Sequence, residues 1–183
     1  LPIYANIGLG YQALNVNDVG GNNTALGAQT LVANTSGSYN TTVGYQALRF
    51  NTTASNNTAV GYQAAYSNQT GTNITAIGFG ALYAATSGDN DAFGASALRT
   101  NTTGTLNAAF GQNALYANTT GSNNSSFGIA SLTRNTTGSY NTALGISALQ
   151  ANTTASNNTA VGYQAGYSNT TANHNLFMGF TTE

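Results

Sequence analysis

Apolar residues recur along this chain in columns one repeat apart. With each unit counted from a glycine at position 0, position −1 reads Leu9, Leu26, Val43, Val60, Ile77, Phe93, Phe110, Phe127, Leu144, Val161 and Met178. Position +4 is Leu14, Leu31, Leu48, Leu82, Leu98, Leu115, Leu132 and Leu149, relaxing to Ala65 and Gly166. Position +3 is small, nearly always Ala, and position +1 is mostly large and apolar, as at Tyr11, Tyr45, Tyr62, Phe79, Ile129, Ile146, Tyr163 and Phe180. We take these columns as the buried seams. The anchoring glycines are Gly10, Gly27, Gly44, Gly61, Gly78, Gly94, Gly111, Gly128, Gly145, Gly162 and Gly179, each 17 residues after the last except for one step of 16 from Gly78 to Gly94. A short fixed period across a whole chain marks a solenoid and outranks any local secondary-structure signal. Residues 1–183 are therefore one repeat array of eleven units.

A helix needs apolar residues at i, i+3, i+4 and i+7, and the Asn-Thr-Thr-Gly segment between the seams would break one in every unit. Short β-branched and aromatic runs bounded by Asn, Gly and Ser predict strands instead. One strand is expected over positions −4 to −1 and a second over +1 to +5, with the glycine at the corner between them. The fold class that follows is all-β, a parallel β-solenoid (β-roll or β-helix) of eleven coils of about 17 residues each. A coil of this length cannot offset the entropy of ordering its own backbone, so coils must stack, and lateral packing between chains is expected as well.

The polar columns are as regular. Position −4 is Asn6, Asn23, Asn40, Asn57, Asn90, Asn107, Asn124, Asn141, Asn158 and Asn175, with Ile74 the exception. Position +7 is Asn17, Asn34, Asn51, Asn68, Asn101, Asn118, Asn135, Asn152 and Asn169, with Ala85 the exception. Identical amides stacked one strand spacing apart hydrogen-bond into ladders, and Asn tolerates left-handed turns. Both columns are expected to be structural ladders at the corners of the coil.

Composition narrows the function. Charged residues are 4% of the chain, namely Arg49, Arg99, Arg134, Asp18, Asp89, Asp91 and Glu183. No basic face exists to neutralise phosphates, so nucleic acid is not an expected partner. No apolar run is long enough for a membrane span. The absence of cysteine removes disulfides and thiolate metal sites. His174 is the only histidine, and acid–base pairs cannot be assembled from this inventory, so no enzyme, cofactor or metal is expected. Asp89 and Asp91 could hold a hard cation, but a solvated loop left by the one-residue deletion accounts for them.

Three surface readings compete with a purely mechanical role. Asn34, Asn51, Asn101, Asn118, Asn135, Asn152 and Asn169 lie in N-x-[ST] sequons, which glycans would need, although the ladder already explains that column. Tyr66, Tyr83, Tyr116 and Tyr167 share position +5 and form a candidate aromatic strip for sugar stacking, or a packing surface for a neighbouring chain. Thr24, Thr41, Thr58, Thr75, Thr142 and Thr159 share position −3, as in a flat threonine ladder that binds ice, but Asp91, Ala108, Ser125 and Leu176 interrupt it.

Residues 51–68 recur at 152–169 with a single difference, Ala65 against Gly166, so a six-coil block has been duplicated. Neither end carries a polar cap, and Leu1 at +8 and Glu183 at +4 are in phase with one another. A fragment or protomer of a longer fibre, or end-to-end assembly, is the expectation.

The segment N-T-A-V-G-Y-Q-A at 57–64 and 158–165 resembles the S-x-A-[IV]-G-x-x-A repeat of trimeric autotransporter adhesin heads. It is similar too to the tandem repeats of phage and viral tail-fibre proteins. The resemblance covers the whole chain as a repeat style and implies a parallel β-roll wound as a trimer and used for surface attachment. The adhesin-head period is shorter; this chain adds an N-T-T-G-S segment. The expected function is a structural, non-enzymatic fibre or filament protein, the shaft or head of an extracellular, cell-surface or virion adhesive fibre. Its expected partner is itself, as a lateral trimer or an end-to-end polymer, with a cell-surface glycan or receptor as a further one. The alternatives are an ice- or glycan-binding solenoid and a functional amyloid.

Overall fold

The computed structural model describes residues 5–180, an all-β parallel solenoid. Eleven three-residue strands stack in sequence order, from β1 (Ile7–Leu9) and β2 (Thr24–Leu26) through β5 (Thr75–Ile77) and β6 (Asp91–Phe93) to β11 (Leu176–Met178). Every pairing is parallel and joins residues one repeat apart, as in Thr58↔Thr75, Ala59↔Ala76 and Val60↔Ile77. The 16-residue step keeps this register, since Thr75 pairs with Asp91 and Ile77 with Phe93. The deletion is absorbed in the turn at Ser87–Asp89. The chain ends anticipated to be in phase, Leu1 and Glu183, lie outside the described residues.

Two expectations are corrected. The strand occupies −3 to −1, and positions +1 to +5 form no strand. The residues at +2 and +4 are left-handed, for example Gln63 at φ 54° and Ala65 at φ 50°. That pair of reversals turns the backbone amides around. The Gln63 N–H donates to Tyr45 O in the preceding coil (2.9 Å), whereas the Ala65 N–H donates to Ala81 O in the next (2.9 Å). Leu82 and Leu98 hold the +4 conformation at φ 50°, a state that disfavours an L-residue by about 1–2 kcal/mol. Burying the leucine contributes about 1.5–3 kcal/mol, and the inter-coil hydrogen bond adds to it.

The second correction concerns the seams. In a strand, side chains alternate between faces. Position −2 points inward, so −3 and −1 point out. The core is built from −2 (Ala59, Ala76, Ala92), +3 (Ala64, Ala81, Ala97) and +4 (Leu82, Leu98, Leu115), all fully buried. Positions −1 and +1, expected inside, are on the surface.

The corner glycine is required twice over. Gly61 has φ 133°, and a Cβ built on it would lie 2.5 Å from the carbonyl oxygen of Gly78. A side chain there would meet the backbone of the next coil, which cannot move aside.

At the corner that leads into the strand, the two asparagine columns converge. Asn23 Nδ2 and Asn34 Nδ2, at −4 and +7 of the Gly27 unit, both donate to Gly37 O, each at 2.9 Å. Asn107 and Asn118 do the same to Gly121 O (2.9 and 2.9 Å). Many of the amides also reach along the axis, although Asn158 Nδ2 is buried without an acceptor. Asn118 Nδ2 donates to Asn101 Oδ1 (2.8 Å) and Asn135 Nδ2 to Asn118 Oδ1 (2.9 Å). In the −4 column Asn40 donates both its backbone N–H (3.0 Å) and its Nδ2 (3.1 Å) to Asn23 Oδ1. The asparagine ladder is thus a pair of columns clamped on one carbonyl per coil.

Both exceptions to the ladder fall in one unit. Ile74 and Ala85 are −4 and +7 of the Gly78 unit, the same coil that lacks a residue. Both are buried. Having no amide at Ala85 to receive, Asn68 Oδ1 accepts the Gly71 N–H instead (3.0 Å), and Asn51 Oδ1 is left buried without a donor.

Candidate functional site

The outward alternation of a three-residue strand places the −1 side chain on the surface, and the glycine corner sets +1 beside it. Five residues at −1 (Leu9, Val43, Phe127, Leu144, Met178) and eight at +1 (Tyr11, Tyr45, Tyr62, Phe79, Ile129, Ile146, Tyr163, Phe180) are exposed, and the remaining −1 residues are half-buried. Neither column contains a charged residue. The two columns flank the glycine row along the whole stack, giving one uncharged face that is apolar except at the exposed Gln112. A large side chain presents roughly 150–250 Å², so half-exposed columns of this number offer on the order of 1,000 Å². Isolated soluble proteins rarely expose a patch beyond about 300–600 Å².

The rings on this face are stacked along the solenoid axis. Tyr45 lies on Tyr62 (centroids 5.7 Å apart) and Tyr62 on Phe79 (5.2 Å) in column +1. In column −1, Phe93 lies on Phe110 (4.6 Å) and Phe110 on Phe127 (4.8 Å). Tyr163 and Phe180 stack at 5.1 Å. The ring-bearing column changes from +1 to −1 between Gly78 and Gly94, at the 16-residue step. No unit carries an aromatic residue in both columns.

The tyrosines singled out from the sequence lie on the next column round, +5. Tyr66 and Tyr83 stack face to face (5.0 Å, 1°), Phe50 sets its edge against Tyr66 (5.0 Å, 85°), and the Arg99 guanidinium covers Tyr83 (4.9 Å). Ring faces that a sugar would stack on are taken up by neighbours. Tyr116 and Tyr167 have no ring partner among the described residues. Gly80, at a position that is Gln in the Gly61 unit, leaves the space in which Arg99 lies, for a Cβ there would overlap its Nη1.

The sequon asparagines Asn34, Asn51, Asn101, Asn118, Asn135 and Asn152 are fully buried, and the Nδ2 of each donates within the corner, as Asn152 does to Asn135 Oδ1 (2.8 Å) and Ala155 O (3.0 Å). A glycan on these atoms is incompatible with the folded coil. Asn169 is partly buried and still donates to Asn152 Oδ1 (3.1 Å).

The −3 threonines point outward, with the interruptions already noted. Sequence reading missed a more regular hydroxyl row at +9: Ser36, Thr53, Thr70, Ser87, Thr103, Thr120, Thr137, Thr154 and Thr171. Nearly all of it is exposed. The +8 threonines beside it are used internally, Thr119 Oγ1 donating to Thr136 O (3.0 Å). The signal lay in the second threonine of the N-T-T-G segment, which recurs in most units.

His174 is an exposed turn residue at φ 62°. Asp89 Oδ1 accepts Asn73 Nδ2 (3.0 Å), and both aspartates are exposed. Among the described residues no group of three or more metal-ligating side chains comes together, no concave pocket exists, and no helix is long and apolar enough to cross a membrane. No protein-family model, curated protein or solved structure matches the chain.

Proposed function

We propose that this chain is a structural, non-enzymatic fibre module: coils stack along one axis and an apolar face joins copies side by side. The observation that carries the reading is the uncharged face of the −1 and +1 columns. On the order of 1,000 Å² on one chain exceeds the roughly 800 Å² per partner of an ordinary stable interface. The resemblance of the 57–64 repeat to adhesin-head and tail-fibre repeats supports a role as shaft or head of an adhesive fibre, outside the cell or on a virion. Sedimentation velocity tests it. An elongated oligomer at micromolar concentration is expected, and Val60→Asp on the exposed face should reduce it to folded monomer. A wild-type chain that sediments as a monomer would overturn the reading.

The +9 hydroxyl row favours a second reading, a binding surface for an ordered lattice such as ice or a crystalline polysaccharide. Apart from Ser87, whose Oγ donates to Gly104 O (2.8 Å), its outward hydroxyls repeat at one strand spacing, about 4.8 Å, from Ser36 onward; the first coil has Val19 there. Thermal hysteresis that disappears in Thr103→Val/Thr120→Val, with folding intact, would establish it.

A further inference from the structure

We infer that the apolar face takes a second copy of this same chain, parallel and in axial register, and that the change of ring-bearing column at the 16-residue step is the key that fixes the register. The inference rests on the fibre reading above and specifies its partner and geometry. The occupant follows from the area of the face and from its lack of charge, since a partner of opposite charge would have nothing to pair with.

The geometry follows from symmetry. Turning one chain about an axis parallel to the stack sets its −1 column against the +1 column of its neighbour, layer by layer. Because no unit has rings in both columns, no ring then meets a ring: each faces an aliphatic or small residue, except Phe110, which lies against Gln112. Tyr62 faces Val60, and Phe93 fills the space over Ala95. Two apolar surfaces of this kind interlock at the density of a protein interior.

Other arrangements lose that fit. An antiparallel pair centred on Gly94 sets −1 against −1, so Phe93 falls on its own copy while Ala95 faces Ala95 across a gap. A parallel pair slipped by one layer opposes Phe79 to Phe93 on one side and leaves Ala95 against Ile77 on the other. A slip of two layers adds Tyr62 on Phe93 and Phe79 on Phe110. A uniform column of rings would not distinguish these registers; the change of column does. The same step keeps the sheet pairing within the chain, so the key does not disturb the coil that carries it.

The chain has no cysteine, which permits single spin labels at Thr53→Cys, Thr103→Cys and Thr154→Cys on the outward +9 column. Pulsed dipolar spectroscopy on the assembled protein should give one and the same inter-chain distance at all three sites. An antiparallel assembly would keep that distance only at residue 103 and offset the other two by six layers, about 29 Å at ~4.8 Å per layer. A staggered filament would shift all three by one or more layers. Either result overturns the inference while leaving side-by-side association in place, whereas a monomer with no dipolar signal overturns both. A key-erased chain, F93V/A95Y, F110V/Q112Y and F127V/I129Y, moves the rings to +1 throughout while conserving the face. It should still associate but give several distances in place of one. A single unchanged distance would overturn the key. Should that variant fail to fold, the three labels in the natural sequence decide the register alone.

Discussion

Replacing Asn118 by alanine tests whether the corner is a cooperative unit. The substitution removes three hydrogen bonds: from Asn118 Nδ2 to Asn101 Oδ1 (2.8 Å) and to Gly121 O (2.9 Å), and from Asn135 Nδ2 to Asn118 Oδ1 (2.9 Å). Each is worth a net ~1 kcal/mol, and a buried acceptor stripped of its donor costs about 1–3 kcal/mol more. Asn101 Oδ1 becomes such an acceptor. Asn135 Nδ2 keeps Gly138 O (2.8 Å), and Gly121 O keeps Asn107 (2.9 Å). The expected loss is about 4–6 kcal/mol. The Gly78 unit supplies a control, because there both amides of one corner are replaced together, as Ile74 and Ala85. Asn107→Ile/Asn118→Ala copies that pair. Once Asn118 is gone, Asn107 has lost its partner on the shared carbonyl, and an apolar residue offsets part of the desolvation. The double variant should therefore lose at least about 1 kcal/mol less than the sum of the single losses. Repeat arrays need not unfold in one step, so the assay is native-state hydrogen exchange at the Ala108, Ser125 and Leu115 amides, supported by urea melts. A single-variant loss below about 0.5 kcal/mol, or strict additivity in the cycle, would refute the cooperative corner.

Two further outcomes follow from the packing. Gly111→Ala places a Cβ 2.6 Å from the Gly128 carbonyl oxygen at φ 136°, so urea melts should show a loss above about 2 kcal/mol from backbone strain and displacement. Gly166→Ala sets a methyl 2.6 Å from the Phe177 ring and should destabilise the last coils by about 1–3 kcal/mol. Adding Phe177→Ala, which recreates the Ala65 and Ala76 pairing of the duplicated block, should recover most of that loss; no recovery would show that the ring is not what the glycine accommodates.

The duplicated block shows what the sequence could disclose and what it withheld. Its single difference, Ala65 against Gly166, carries no meaning along the chain; it becomes intelligible once Phe177 is seen to occupy a −2 position that holds Ala76 in the other copy. The period, parallel stacking and amide columns were legible, because each repeats in every coil and backbone stacking forces like upon like. The second strand was not. Its β-like composition at +1 to +5 is overridden by left-handed residues at +2 and +4, a conformation Gln and Leu do not advertise. Gly80 illustrates a further kind of silence: its reason, Arg99, lies one coil away.

The misplacement of the −1 column has the most general cause, and it bears directly on function. Apolar character alone suggested burial, but a coil of this size has a core of only two alanine columns and one leucine column. A close-packed position cannot accept volumes from Val43 to Phe110 in successive layers without remodelling its neighbours. Position −2, by contrast, is almost entirely Ala, Ser or Thr, and +4 is Leu wherever its neighbours permit. Uniform volume therefore marks the interior of this solenoid, whereas apolarity with varied volume marks a surface that something outside the chain must match. The variation is ordered: whenever −1 is a ring, +1 is aliphatic, small or Gln, and the reverse holds wherever +1 is a ring. No requirement within the coil imposes that exclusion, since side chains on adjacent outward columns are free to grow towards solvent together. A neighbouring face with the same columns in reversed order does impose it, which is why the varied apolar column argues for association where a uniform one would have argued only for stability.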